Sequence, residues 1–316
     1  MDISIVISAY NESESLPELF KRISDVFASQ GVEYEIIVID DGSTDSTWSI
    51  IEENSNRYPL RAVSFRRNYG KSAALFCGFE MAEGDLVITM DADLQDSPEE
   101  LPEIIAMIKE GGYDLVSGWK KKRYDSRFTK NIPSKIYNAT ARRVTGIKLH
   151  DMNCGLKIYK KEVVKNIEVY GEMHRYIPYL AKNAGFSNIA EKVVVHAPRK
   201  YGKSKFGINR FINGFLDLMT LWFLSKFGKK PMHFFGLAGI ITFFIGFCTS
   251  VYIIVDKLYA QTHGLKFRAV TDQPLFFISL VALIIGIQLF LSGFTAEIVS
   301  RNSSERNVYK IKRKIS

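Results

Sequence analysis

The chain has 316 residues, 47% of them hydrophobic and 24% charged, with a formal net charge of +8. That is ample material for a buried core and too long for one average domain, so two segments are expected. Cys77, Cys154 and Cys248 stand far apart with no C-x-x-C spacing, which argues against a disulfide scaffold or a structural zinc site and fits a reducing compartment.

The opening stretch, "MDISIVISAY", lacks a basic leader, a longer apolar core and a small-residue cleavage site, so it reads as a first strand. Apolar runs follow at "YEIIVID", "DLVITMD", "DLVSGW" and "KVVVHAP", alternating with amphipathic stretches at 16–29 and 98–109. This alternation predicts βαβ units, a mostly parallel sheet with helices on both faces.

Composition changes near residue 206. Residues 231–255 and 274–299 are almost free of charge and long enough to cross a hydrocarbon core with some tilt. Buried helices of a soluble core are usually shorter and carry a polar stripe, so two transmembrane helices are the preferred reading. Between the segments, residues 206–230 place Arg210, Asn213, Asp217 and Thr220 on one helical face, and Phe211, Phe215, Leu218, Met219 and Trp222 over much of the rest. That is the pattern of a helix lying in the membrane interface.

Loop charge sets the expected orientation. Lys226, Lys229 and Lys230 precede the first span and six Lys or Arg follow the second, against Lys257, Lys266 and Arg268 in the 256–273 loop. Both termini, the 1–205 domain and the basic tail at 300–316 are therefore expected in the cytoplasm, at the inner membrane. Gly236, Gly239, Gly246, Gly286 and Gly293 would let spans approach closely, which leaves a homo-oligomer open.

In open parallel sheets ligands bind beyond the carboxyl ends of the strands. There the sequence places "SAYNE", "DDGSTDST", "DADLQD" and "SGWKKKR". Gly42 permits a tight turn after Asp40 and Asp41, and Ser43 or Thr44 is expected to cap the next helix. Carboxylates at alternate positions of a strand end project to one side, so Asp91 and Asp93 read as ligands of a hard divalent cation, with Gln95 as a third oxygen.

With these residues in view, the chain resembles the family 2 glycosyltransferases of GT-A fold. Its two C-terminal spans make it similar to their polyprenyl-phosphate glycosyltransferase group, which includes dolichol-phosphate mannose synthase and the bacterial enzymes that charge undecaprenyl phosphate. The resemblance covers essentially the whole chain and rests on "AYNE", "DDGSTD", "RNYGK", "DADLQD", "DMNCGLK" and "RKYGKSK". One departure is Ser8, where the family usually has proline.

The resemblance implies that Tyr10, Glu12 and Asp40 hold the base and ribose of a nucleotide sugar, UDP-glucose or GDP-mannose in type, with Lys71 close by. It puts Mg²⁺ or Mn²⁺ on Asp91, Asp93 and Gln95, bridging the diphosphate. Asp151 would lie by the acceptor and the anomeric carbon. Because a phosphate monoester is largely dianionic at neutral pH, an orienting role suits Asp151 better than strict base catalysis. Arg199, Lys203, Ser204 and Lys205 would grip the lipid phosphate, and the basic run from Lys120 to Arg123, with Arg127, is a further candidate for phosphates. The implied reaction is inverting transfer of one sugar to polyprenyl phosphate.

Other classes fit less well. "YGKS" at 69–72 and at 201–204 would need glycine at Phe65 or Ala197 to be a P-loop. A nucleic-acid partner is disfavoured, since the basic residues crowd membrane-flanking positions and no stacking-aromatic motif accompanies them. The nearest alternative, a processive or polysaccharide-directed enzyme of the same superfamily, would carry a Q-x-x-R-W motif where this chain has "EMHRYIPYL", and more spans.

Overall fold

The computed structural model describes residues 1–28, 30–121, 139, 141–143, 145–198, 200–201, 216, 219–220, 222–223, 226–227, 230–266 and 268–302. The chain divides into two units, Met1–Met219 and Thr220–Ser316, and the division falls inside the linker expected at 206–230. That amphipathic segment lies largely outside the described residues.

The first unit is built on a seven-stranded sheet: β1 Ile3–Ala9, β2 Tyr34–Asp40, β3 Leu60–Ser64, β4 Leu86–Asp91, β5 Leu115–Trp119, β6 Lys157–Lys160 and β7 Ile189–Val193. Their order is β3-β2-β1-β4-β6-β5-β7. All neighbours are parallel except β6, which runs antiparallel to both β4 and β5. The apolar runs "ISIVIS" and "YEIIVI" are buried almost throughout because helices cover both faces of a parallel sheet.

The helices are α1 Leu16–Ala28, α2 Thr47–Asn54, α3 Lys71–Met81, α4 Leu101–Gly111, α5 Lys161–Lys165 and α6 Ile177–Asn183. In α1 the buried residues Leu16, Leu19, Phe20, Ile23 and Phe27 recur at helical spacing and seat one face on the sheet. Each such side chain contributes about 1.5–3 kcal/mol when removed from water.

Three expectations change. β3, with its half-exposed "LRAVS", and β6, a four-residue "KIYK", are too short or too polar to stand out as apolar runs. The last strand stops at Val193, inside "KVVVHAP"; Val195 is 63% exposed, and His196 makes an isolated bridge to Asp96, outside the sheet strands. Asp93 lies past the end of β4, in a turn whose Leu94 has φ of 59°, so strand alternation does not set its direction.

The second unit contains α7 Met232–Thr262 and α8 Pro274–Asn302, both long and apolar enough to cross a membrane. Only 17% and 11% of their most apolar stretches are buried, which suits a lipid surround and not the core of a soluble domain. They pair through glycines. A Cβ on Gly239 would stand 2.7 Å from the Gly286 carbonyl oxygen, and one on Gly246 would stand 2.7 Å from that of Ser279. Ser250 Oγ donates to Ser279 Oγ across the pair at 2.9 Å.

Candidate active site

Strand register brings the sequence-predicted loops to one edge. Ala9 is level with Asp40, Asp40 with Ser64, and Ser8 with Asp91. Strand order reverses between β1 and β4, the place where open α/β sheets leave a crevice for ligands.

Hydrogen bonds knit the ends of β1 and β2 together. Asn11, at φ of 52°, takes a bond from the Thr44 amide at 2.8 Å and gives its own amide to Ser43 Oγ at 2.9 Å. The Glu12 amide donates to Thr47 Oγ1 at 2.8 Å, and Ser15 Oγ donates to the Glu12 carboxylate at 2.9 Å. Ser43 and Thr44 thus hold the neighbouring loop and do not cap α2. The N-cap position of α2 is Ser46, which makes no side-chain capping bond, and Asp45 just before it accepts the Thr47 amide at 3.0 Å. Tyr10 follows β1 directly and is half-buried.

Asp40 is 1% exposed, and both its oxygens are engaged, by the Ser43 amide at 3.0 Å and by Ser64 Oγ at 2.7 Å. Asp41 accepts the amides of Tyr69 and Gly70 at 2.7 and 2.9 Å, which shapes the loop leading into Lys71. Burial pushes the Asp41 carboxyl above its ordinary value despite those two bonds. Gly42 sits at φ of 71°, and a Cβ there would come within 2.5 Å of the Arg67 backbone, so this turn admits only glycine.

At the end of β4 the balance is ionic. Lys71, the first residue of α3, pairs with Asp91. Lys120, just past β5, pairs with the fully buried Asp96 at 2.7 Å. Two of the three clustered carboxylates are thereby screened by lysines. Burial favours the neutral form of Asp91, but Lys71, Lys120 and Lys157 overcome it and hold the carboxyl well below the usual range. Burial likewise opposes the charge of Lys120, and Asp96 outweighs it, raising the ammonium above its ordinary value. Lys120 is therefore turned into the fold, away from the phosphate-facing role proposed for the basic run; the rest of that run from residue 122 lies outside the described residues.

Asp93 accepts the Gln95 amide at 3.1 Å, and the Gln95 carbonyl takes the Ala197 amide at 3.0 Å and His196 Nδ1 at 3.2 Å. The turn is thus fastened to the segment after β7. Asp91, Asp93 and Gln95 present carboxylate and amide oxygens, the donors of a hard cation. Among the described residues no group of three or more His, Cys, Asp or Glu gathers for a metal. That sparse set fits Mg²⁺ or Mn²⁺, which is commonly held by one or two carboxylates with substrate phosphates completing the shell.

Because β6 runs antiparallel, the "DMNCGLK" loop enters at the same edge, and Lys157 pairs in register with Thr89. Asp151 is 2% exposed and accepts the Asn153 amide at 3.2 Å. Gly155 packs on Asp91: a Cβ there would lie 2.5–2.8 Å from the carboxylate. Burial pushes the Cys154 thiol up to about 12, leaving it inert at neutral pH. Lys157 is 3% exposed and donates to the Cys154 carbonyl. Burial lowers its ammonium below the ordinary lysine value.

The structure thus gathers Tyr10, Glu12, Asp40, Lys71, Asp91, Asp93, Gln95 and Asp151 at one edge of the sheet. Arg199, Lys203, Ser204 and Lys205 lie outside the described residues. Sequence reasoning missed the partners of Lys71 and Lys120 and the place of Lys157. The one signal for Lys157 is a charge set among Leu156, Ile158 and Tyr159.

Residues 4–168 match glycosyl transferase family 2. The chain belongs to that family. Among relatives of this glycosyltransferase, the dodecaprenyl-phosphate galacturonate synthase of Rhizobium johnstonii is 34% identical over 95% of this chain and 88% of its own. The undecaprenyl-phosphate 4-deoxy-4-formamido-L-arabinose transferase of Proteus mirabilis is 35% identical over 95% and 88%. In fold, the glycosyltransferase is similar to glucosyl-3-phosphoglycerate synthase of Mycobacterium tuberculosis. The form of that enzyme solved with Mg²⁺ and UDP gives a TM-score of 0.55 at 21% identity, covering 69% of this chain and 79% of the other. The form with Mn²⁺, UDP-glucose and phosphoglyceric acid gives 0.52 at 22% identity, covering 71% and 79%.

Proposed function

We propose that this family 2 glycosyltransferase moves a single sugar from a nucleotide donor to polyprenyl phosphate, with inversion, at the cytoplasmic face of the inner membrane. The observation that carries the reading is likeness over 95% of the chain to enzymes named for dodecaprenyl- and undecaprenyl-phosphate sugars. Two helices able to cross a bilayer support a lipid acceptor, and the loop charges support cytoplasmic termini. The sugars in those two names are galacturonate and a formamido-arabinose, so the donor need not carry glucose or mannose.

In this reading Tyr10, Glu12 and Asp40 frame the nucleotide, and Lys71 stands at the diphosphate end. A divalent cation on Asp91, Asp93 and Gln95 would neutralise charge on the departing nucleoside diphosphate. Asp151 orients the acceptor phosphate, which is already largely dianionic and needs little deprotonation. Arg199, Lys203, Ser204 and Lys205 supply the cations and hydroxyl that a lipid phosphate requires at the membrane surface.

The test uses protein purified in detergent with Mn²⁺, undecaprenyl phosphate and a panel of radiolabelled nucleotide sugars, including UDP-galacturonic acid, UDP-glucose and GDP-mannose. One sugar transferred to the lipid, once per acceptor, is the expected result. A growing polymer, or label appearing only on non-lipid acceptors, would overturn the reading.

A further inference from the structure

Lys157 is the one buried ammonium of the site with no carboxylate at ion-pair distance among the described residues. Lys71 has Asp91 and Lys120 has Asp96, whereas Lys157 gives one hydrogen bond, to the Cys154 carbonyl. An ammonium carries three donors. Burying such a charge is costly, and apolar residues of similar volume commonly do as well or better for stability. Its charge helps keep Asp91 ionised, which accounts for a cation nearby but leaves the ammonium's other donors to be explained.

The place it occupies supplies an explanation. Lys157 lines a small cavity of about 10 Å³ together with Lys71, Thr89, Asn153, Gly155 and His174. The volume suits one oxygen atom or one water, and the walls are mixed, Leu75, Tyr159 and Ile177 standing beside the polar groups. Gly155, which lines it, also packs on Asp91, so the cavity adjoins the carboxylate that ends β4. His174 is fastened there by two contacts with Ser72, its amide donating to Ser72 Oγ at 3.1 Å and Ser72 Oγ lying 3.0 Å from Nδ1. α3, β4, β6 and the 173–176 turn thus hold one small recess of mixed lining beside the end of β4.

We propose that Lys157 is a donor-sugar-binding residue, its ammonium donating into this recess to an acceptor oxygen on the transferred sugar. The proposal rests on the glycosyltransferase reading above and deepens it, since it names the group that senses the sugar apart from the nucleotide. A ring hydroxyl or one oxygen of a carboxylate or amide substituent fits the recess; a nucleobase or a phosphate does not.

Lys157→Met in the full-length, detergent-purified protein tests it, with thermal unfolding and calorimetric titration side by side. The midpoint of unfolding should stay within about 4 °C of the wild type's, because the substitution removes a buried charge at similar volume while withdrawing one of the three cations that keep Asp91 ionised. Affinity for UDP and GDP should hold within about twofold. The sugar-dependent part of binding, read as the affinity ratio of UDP-galacturonic acid or UDP-glucose to UDP and of GDP-mannose to GDP, should fall about tenfold or more for the sugar the wild type prefers. A midpoint lowered by about 4 °C or more would assign the ammonium to the scaffold and overturn the proposal. An unchanged ratio, or a wild type in which no sugar alters binding, overturns it as well. Because none of these titrations contains lipid, a protein that binds nucleotide sugar through Lys157 but leaves undecaprenyl phosphate uncharged would break the acceptor reading and leave this one standing.

Discussion

Two strand ends on either side of β1, both rich in aspartate, solve the same electrostatic problem in different ways. At β2, Asp40 and Asp41 are satisfied by amides and a hydroxyl, all neutral and mostly backbone. At β4, Asp91 and Asp96 are paired with the ammoniums of Lys71 and Lys120. Backbone donors are fixed by the fold, so the first joint is a frame. Lysine carries a full charge on a flexible stem, and at the second joint the part-exposed Lys71 is the member able to change partner, whereas Lys120 is held in the fold.

The largest effect should come from stranding a charge at the β4 joint. Asp96→Ala leaves Lys120 buried and unpaired, a loss of about 3–5 kcal/mol, while Asp96→Ala with Lys120→Met should recover most of it. Asp41→Asn, which keeps one carbonyl acceptor at the β2 joint, should cost about 1–3 kcal/mol. Unfolding of the purified variants measures both, and equal losses at the two joints would break the comparison.

Next is turnover. Asp93→Asn should reduce transfer on the order of a hundred- to a thousandfold, the range seen when one preorganised stabilising group is removed. EDTA should silence the wild type, and full activity in chelator would dismiss the metal assignment.

A smaller effect tests the packing between Gly155 and Asp91. Gly155→Ala sets a methyl 2.5–2.8 Å from that carboxylate, so the carboxylate must shift. Overpacking of this kind costs about 1–3 kcal/mol, and transfer activity should fall more steeply than the unfolding midpoint. The reverse would mean that Asp91 tolerates displacement.

The smallest effect is a pH slope. Asp91 is held below its ordinary value of 3.8, so its ion pairs stabilise the fold above that pH and lose their contribution as pH falls toward the lower folded value. Asp41 is raised above 3.8, so its contribution runs the other way, growing as pH falls through the folded value. Between pH 6 and 3, melting curves of Asp91→Asn and Asp41→Asn should therefore diverge from the wild type with opposite slopes.

Much of this site is legible in the sequence. "DDGSTD" and "DADLQD" follow apolar runs, and parallel strands deliver such ends to one edge whatever the details of packing. Other features are hidden because their cause is not local. β6 is four residues long and pairs with strands more than 35 residues earlier in the chain. Ser43 and Thr44 do not cap α2; they bond Asn11 of the neighbouring loop, 32 and 33 residues away along the chain.

Local sequence is enough to set the parallel α/β class, the family, the two apolar helices and the group of carboxylates at the strand ends. Each of these rests on periodicity, length or spacing along a continuous stretch, where the relevant interactions are between near neighbours. Which ammonium meets which carboxylate emerges only from the tertiary fold. Lys71, Lys120 and Lys157 are alike as residues, and their roles diverge because α3, β5 and the antiparallel β6 bring them to the end of β4 with different degrees of burial and different partners. A charge acquires its function from the distance and dielectric around it, and neither is encoded in the residues beside it.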